Sequence, residues 1–224
     1  MRLHMHPASI TSRPVRLLMA EKGIPHEEVI VDLMVGAHHQ EPFITFNPSR
    51  LVPVLEDGDF KLTESSAILK YLADKYDMPE YPKDLKKRAK VNEVMDWVNT
   101  NFYRDWGYNL CYPQLFPHHQ HPSEEGQNVT VQWGSARSKF WLQVLNDYWL
   151  GDGRKWLTGN DITIADYFAG SVVGLGDMIR YDFSPYPNVQ AWLGRVKALP
   201  HWKEVSAALD GFATSLEGKQ FVAA

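Results

Sequence analysis

An α/β domain followed by an all-helical domain is the architecture the sequence predicts. Three observations carry that expectation. Strand-like and helix-like segments alternate over residues 1–77 in the order β-α-β-(α)-β-β-α. A stretch at 78–84 holding Pro79 and Pro82 reads as a linker. From 85 to 224 the apolar residues recur only at helical spacing.

Each element has its own signal. Leu3-His4-Met5 alternates like a short strand. The loop His6-Pro7-Ala8-Ser9-Ile10-Thr11-Ser12-Arg13-Pro14 enters a helix over 15–22, with Pro14 tolerated in its first turn and Gly23 suited to its end. Glu28-Val29-Ile30-Val31-Asp32 is β-branched and strand-like. Residues 36–40 read as a loop, followed by a weak helix or irregular segment to Phe46 and a turn at Asn47-Pro48. Val52 to Glu56, the Asp57-Gly58 turn and Phe60-Lys61-Leu62 form a hairpin, so the sheet mixes parallel and antiparallel pairs. Ala67, Ile68, Tyr71 and Leu72 then mark an amphipathic helix with Thr63, Glu64 and Ser65 at its start.

The second half is read more coarsely. A long helix is expected over 85–110, with Val91, Val94, Met95 and Val98 on one face. Pro113, Pro117 and Pro122 interrupt the chain around His118, His119 and His121, which read as a solvated loop and not as a metal site. A second helix is expected over 135–150. Thr163 and Asp166 have capping-box spacing at the start of a buried helix reaching about 178. Helices over 187–199 and, shorter, over 202–209 complete the chain.

Composition bounds the function. With 44% hydrophobic and 22% charged residues the 224-residue chain is ordinary for a globular protein. A net charge of -4 argues against a general nucleic-acid partner. No apolar run approaches the roughly 20 residues that span a bilayer, and residues 1–6 lack a signal-peptide core. The single cysteine, Cys111, rules out an intrachain disulfide framework and fits a reducing compartment.

The chemistry concentrates at 52–65. Pro53 cannot donate to a sheet ladder, so it marks a strand start, an edge or a bend, and a cis bond there would leave the Val52 backbone free to pair with an extended peptide. The following helix start suits a carboxylate, Ser65 adds a hydroxyl donor, and Glu64 suits an ammonium. Together they match an amino-acid head group. The plainer reading is that Thr63, Glu64 and Ser65 only cap the helix.

Asn47 to Ser65, the run Glu64-Ser65-Ser66-Ala67-Ile68-Leu69-Lys70-Tyr71-Leu72 and Thr163-Ile164-Ala165-Asp166 resemble a cytosolic glutathione transferase of theta-like or bacterial class over essentially the whole chain. The resemblance implies a thioredoxin-like domain bearing the glutathione site and an all-α second domain. It implies glutathione as co-substrate, a hydrophobic electrophile, no metal, a homodimer in which residues 61–76 pack on the partner's helical domain, and a cytoplasmic setting. It implies that Val52 ahead of cis Pro53 pairs with the cysteinyl unit, that Glu64 and Ser65 hold the γ-glutamyl end, and that His38 or His39, with Arg50, lies near the glycyl end. The thiol-activating hydroxyl is Ser9, Thr11 or Ser12, with the theta-like register favouring Ser9. Tyr103, Trp106, Tyr108 and Phe116 are the candidates for the electrophile pocket.

Other classes remain. A thiol–disulfide oxidoreductase needs a cysteine in the first loop, and Cys111 lies far downstream. A non-catalytic module on the same scaffold is argued against by Ser9, Glu64 and Ser65. Zeta-like glutathione-dependent isomerases carry a Ser-Ser-Cys run after the first strand, where this chain has Ser9-Ile10-Thr11, which argues against that option.

Overall fold

The computed structural model describes residues 1–222. Strands β1 (Arg2–Met5), β2 (Glu27–Ile30), β3 (Val54–Asp57) and β4 (Phe60–Leu62) form one sheet in the order β2-β1-β3-β4. Helix α1 (Arg13–Glu21) crosses between β1 and β2, which pair in parallel; β3 is antiparallel to both β1 and β4. Helix α2 (Phe43–Phe46) is a single turn, and α3 (Ser65–Lys75) follows the hairpin. Leu3, Met5, Leu17, Leu18, Ile68, Leu69 and Leu72 close the core between the sheet and α1/α3.

The helical half contains α4 (Leu85–Trp97), α5 (Tyr112–Leu115), α6 (Glu124–Val144), α7 (Ile164–Val173), α8 (Pro187–Lys197) and α9 (Trp202–Ser215). Every residue of α7 is buried, and α1, α3, α4 and α8 pack around it. A helix so enclosed cannot leave its first N–H groups to water. Asp166 resolves this. Its carboxylate accepts from Thr163 N at 2.8 Å, Leu157 N at 2.9 Å, Thr163 Oγ1 at 3.0 Å and Trp192 Nε1 at 2.9 Å. The capping box expected from the spacing is present, and it also ties in α8. Among the described residues no helix is long and apolar enough to cross a membrane.

Several expectations are corrected. The helix expected over 85–110 changes character after Trp97: wider, π-type turns run through Val98–Phe102 and Arg104–Cys111 and lead into α5. Pro113 therefore does not interrupt the chain, since it occupies the first turn of α5, where no N–H is required of it. Helix α6 begins at Glu124, well before 135, because Ser123 caps it by accepting from Gly126 N at 3.1 Å and two glutamates complement its dipole. Its early turns are polar enough to hide the helical stripe. Helix α9 continues past 209 to Ser215. The capping reading of Thr63-Glu64-Ser65 also fails at its centre, since Glu64 makes no side-chain cap hydrogen bond.

Gly134 marks the closest approach of α6 to the π-type turns: a Cβ there would lie 2.4 Å from the Asn109 carbonyl carbon. Gly134→Ala is expected to cost about 2 kcal/mol through overpacking against backbone that cannot swing away, lowering the melting temperature by roughly 4–8 °C. Thermal denaturation followed by circular dichroism checks this, and an unchanged melting point would mean that the two segments separate easily.

Candidate active site

The loop between β1 and α1 places its three hydroxyls differently. Thr11 Oγ1 donates to the Val52 carbonyl at 2.8 Å. Its only proton is thereby committed, so in the 3.1 Å contact between Ser9 Oγ and Thr11 Oγ1 it is Ser9 that donates. Ser9 Oγ also accepts from Ser12 N at 3.1 Å, which seats it against the first turn of α1. Ser9 thus holds a rotatable proton at the positive end of a nine-residue helix. Ser12 stands apart, fully buried with its hydroxyl unpaired.

The Val52–Pro53 bond is cis. Sheet pairing of β3 begins only at Val54, so the Val52 main chain lies outside the ladder. Its carbonyl is not free, as the sequence reading supposed, because Thr11 already occupies one lone pair. A second lone pair remains, and the Val52 N–H has no partner among the described residues. Thr11 therefore fixes the distance between the hydroxyl loop and the peptide-pairing strand.

Glu64 precedes α3 with φ of +64°, in the left-handed region that side chains avoid. It is exposed, while Ser65 is buried at the helix start. Glu64 is thus a strained, exposed glutamate without a capping bond. Arg50 has a similar φ of +59° and is exposed on its turn. His38 and His39 sit on a short 3-10 turn, Ala37–His39, with ring centroids 3.9 Å apart. His38 is half-buried and its Nδ1 is enclosed without a partner; His39 is exposed.

The helical half supplies the opposite wall, and here the expected pocket set divides. Trp106 is wholly buried, donates to the Val172 carbonyl at 3.0 Å and packs edge-on against Tyr181; it is core, not pocket wall. Tyr103 is also buried, its hydroxyl bonded to that of Tyr112, and burial first and Tyr112 second hold its pKa well above the usual range. Tyr108 and Phe116 face outward. Burial raises the Tyr108 phenol, with a further contribution from Glu64 across the groove. Three residues outside the expected pocket set pack with them: Tyr112, His119 stacked on Tyr112 at 5.0 Å, and Phe212 parallel to Phe116 at 5.5 Å. Tyr108, Tyr112 and Phe116 follow one another at four-residue spacing, a signal present in the sequence. His118 and His119 lie on a 3-10 turn, Pro117–His119, and His119 packs against Tyr108 and Tyr112, so the solvated-loop reading does not hold for it.

Among the described residues no three His, Cys, Asp or Glu side chains are placed to hold a metal. Cys111 is buried, and burial pushes its thiol pKa well up, which disfavours the thiolate that redox chemistry uses. A surface depression of about 340 Å³ bounded by Tyr181, Phe183 and Lys197 lies on another face and shares none of the groove residues.

Glu64 yields a direct test of the strain argument. Glu64→Gly is expected to melt no lower than the parent, and up to about 1 kcal/mol higher, because glycine relieves the positive φ. A clear loss of stability would show that this side chain supports the fold.

Comparison with known proteins agrees with this geometry. Residues 3–80 match the family model described as glutathione S-transferase, N-terminal domain, and residues 141–200 match glutathione S-transferase, C-terminal domain. The chain is 37% identical over 201 residues to human glutathione S-transferase theta-2, covering 88% of this chain and 80% of that protein. The crystal structure of human glutathione transferase theta-2 in complex with glutathione superposes with a TM-score of 0.85 at 33% identity, covering 98% of this chain and 91% of that one. A human theta-class enzyme bound to the glutathione conjugate of 1-menaphthyl sulfate superposes at 0.79 and 35% identity, covering 96% and 86%. A four-stranded mixed sheet carrying the cis Val52–Pro53 hairpin, joined to a helical half built on a buried capping box, places this chain in the glutathione S-transferase family.

Proposed function

We propose that the protein is a glutathione transferase that ionises the glutathione thiol and directs it at a small hydrophobic electrophile. The observation that carries this reading is the row formed by Ser9, Thr11 and the free Val52 amide along one groove, with strained Glu64 beyond it. An extended tripeptide fits that row with its cysteinyl backbone on Val52. Glu64 takes the α-ammonium of the γ-glutamyl head. The Ser65 hydroxyl and the free N–H groups of α3 take its carboxylate.

The chemistry follows from the thiol. A free thiol has a pKa near 8.5, so only a few per cent is thiolate at neutral pH. The Ser9 proton turns from Thr11 to the sulfur and stabilises the anion, while the thiol proton leaves to solvent. The start of α1 adds positive potential. A fall of about two units is worth roughly 2.7 kcal/mol. The thiolate pair then forms a C–S bond, and the electrons of the broken bond depart with the leaving group or move onto an activated double bond. Ser9 donates to the nucleophile and is never itself the nucleophile.

The wall of Tyr108, Tyr112, Phe116 and Phe212 supports an apolar electrophile. Exposed Phe60 and Tyr76 beside β4 and α3, and Val129 and Trp133 one turn apart on α6, support a homodimer through those faces. A cytoplasmic setting is supported by the need for reduced glutathione.

Ser9→Ala is expected to move the bound thiol's pKa toward 8.5, shift the rate–pH profile to the alkaline side and lower kcat/KM by about 10²-fold at neutral pH. Titration of thiolate ultraviolet absorbance measures the shift directly; an unmoved titration would transfer the role to Thr11 or Ser12. Binding of glutathione without turnover across a broad electrophile panel would instead favour a non-catalytic module. Light scattering on the eluting protein is expected to give twice the chain mass, falling to one chain mass in Phe60→Glu/Trp133→Glu; a monomeric parent would remove the dimer.

A further inference from the structure

The segment that follows α9 is mostly exposed, yet it is tied down along its length. Leu216 and Glu217 close the helix with N–H bonds to the Ala213 and Thr214 carbonyls, and Gly218, at φ of +85°, turns the chain back. Arg180 donates to the Leu216 carbonyl at 3.2 Å and to the Lys219 carbonyl, and its guanidinium lies 4.9 Å from the centre of the Phe221 ring, which packs on the core. One residue further, the Gln114 side chain takes both main-chain groups of Val222. Its Oε1 accepts from Val222 N at 2.7 Å, and its Nε2 donates to the Val222 carbonyl at 3.0 Å. Nε2 also donates to the Leu110 carbonyl at 2.9 Å, so both of its protons are committed and the amide is fixed in place. Lys219 Nζ adds a bond to the Gln114 carbonyl at 2.6 Å.

These bonds matter because of what each end carries. Helix α5 is a single turn of four residues, too short to hold its own shape, and it bears Tyr112 and leads directly into Phe116. From α6, Gln127 Nε2 steadies it by donating to the Pro113 carbonyl at 2.8 Å. Gln114 steadies it from the other side through Val222. Phe212 stands on α9 one turn before Leu216, and its ring lies parallel to that of Phe116, 5.5 Å away and tilted by 6°. The chain from Phe212 round Gly218 to Val222, and back through Gln114 to Phe116, is therefore a closed circuit, fastened by the amide at one point and by the ring pair at another.

We propose that Gln114 is a positioning residue that sets the size of electrophile the protein accepts: by holding the Val222 main chain it keeps Phe212 against Phe116. The proposal rests on the reading of Tyr108, Tyr112, Phe116 and Phe212 as the electrophile wall, and deepens it. Gln114 acts through the segment it holds, since Leu110 and Val222 engage its whole amide. Parallel rings 5.5 Å apart leave no room for a third between them, which needs about 7 Å at ordinary contact distances. The wall is thus a closed panel that a one-ring electrophile lies against. With the amide bonds removed, the end of α9 is free to move, the pair parts, and a second ring enters.

Steady-state kinetics at saturating glutathione with benzyl chloride, which has one ring, and biphenylmethyl chloride, which has two, test this; in both the thiolate forms the C–S bond and the C–Cl electrons leave with chloride. Gln114→Met keeps the length of the side chain and removes both bonds to Val222. It is expected to raise the two-ring to one-ring ratio of kcat/KM about fivefold, through KM with kcat unmoved, on the scale of one aromatic pair. Glutathione affinity, measured by calorimetry, should stay that of the parent. Arg180→Asn cuts the same segment at its other end, with asparagine tolerating the φ of +52°, and should shift the ratio the same way; it decides alone if Gln114→Met does not fold. In a Phe212→Ala background, where the ring pair is gone, Gln114→Met should shift the ratio no further. An unchanged ratio in Gln114→Met overturns the role. So does an undiminished shift in the Phe212→Ala background, or a fall in glutathione affinity alongside the shift, because either would mean that the amide acts elsewhere. A parent that binds glutathione and conjugates neither chloride overturns the reading of the wall, and this role with it.

Discussion

Everything in this molecule is arranged around a helix that water cannot reach. Helix α7 is buried along its whole length, and such a helix is stable only if the polar groups at its start are paired. Asp166 gathers four donors from Thr163, Leu157 and Trp192, so one carboxylate closes the helix end, pins the preceding loop and docks α8. Against this fixed axis the sheet domain is seated through α1. The Arg13 guanidinium donates to the Ser171 carbonyl, lies 4.6 Å over the Trp202 ring and is buried, which brings its pKa down to about 10. The loop with Ser9 begins α1, so the position of the candidate thiol donor relative to the helical wall is set by the packing of α7.

The π-type turns have a comparable role on the wall itself. Asp105 is buried among Arg104, Asn109, Arg137 and Trp141, which satisfy its oxygens. It thereby locks the turns that follow Trp97. Residues two apart face nearly opposite sides of a helix. Trp106 accordingly points inward while Tyr108, two residues on, emerges near Glu64.

Much of this was legible in the sequence for identifiable reasons. The order of elements along the first half and the mixed sheet followed from a parallel crossover and a hairpin turn, both short-range signals. Thr163 and Asp166 announced their capping box by spacing alone. Pro53, Glu64 and Ser65 could be picked out because each residue type has a narrow conformational or chemical use there. What sequence could not supply was anything that depends on long-range packing or on helix pitch. Helical periodicity separates Trp106 from Tyr108 but does not say which of the two faces is the core. Ser12 and Ser9 differ only in which way the loop turns before α1. The Thr11 bond to Val52 joins residues 41 apart and has no local trace. Phe212 was out of view because α9 extends further than its apolar pattern suggests, and the polar first turns of α6 concealed that helix's true start.

The seam between the halves has a consequence for how such a protein turns over. Besides Arg13, Arg16 donates to the Val205 carbonyl at 3.0 Å, the His201 amide donates to Glu21 at 2.7 Å, and Lys22 pairs with buried Glu80. These latches tie the two halves together through α1 and the turn that follows it. They leave out the side chains at 108, 116, 118 and 212, so the proposed electrophile wall can be changed at those positions without disturbing the joint beneath it.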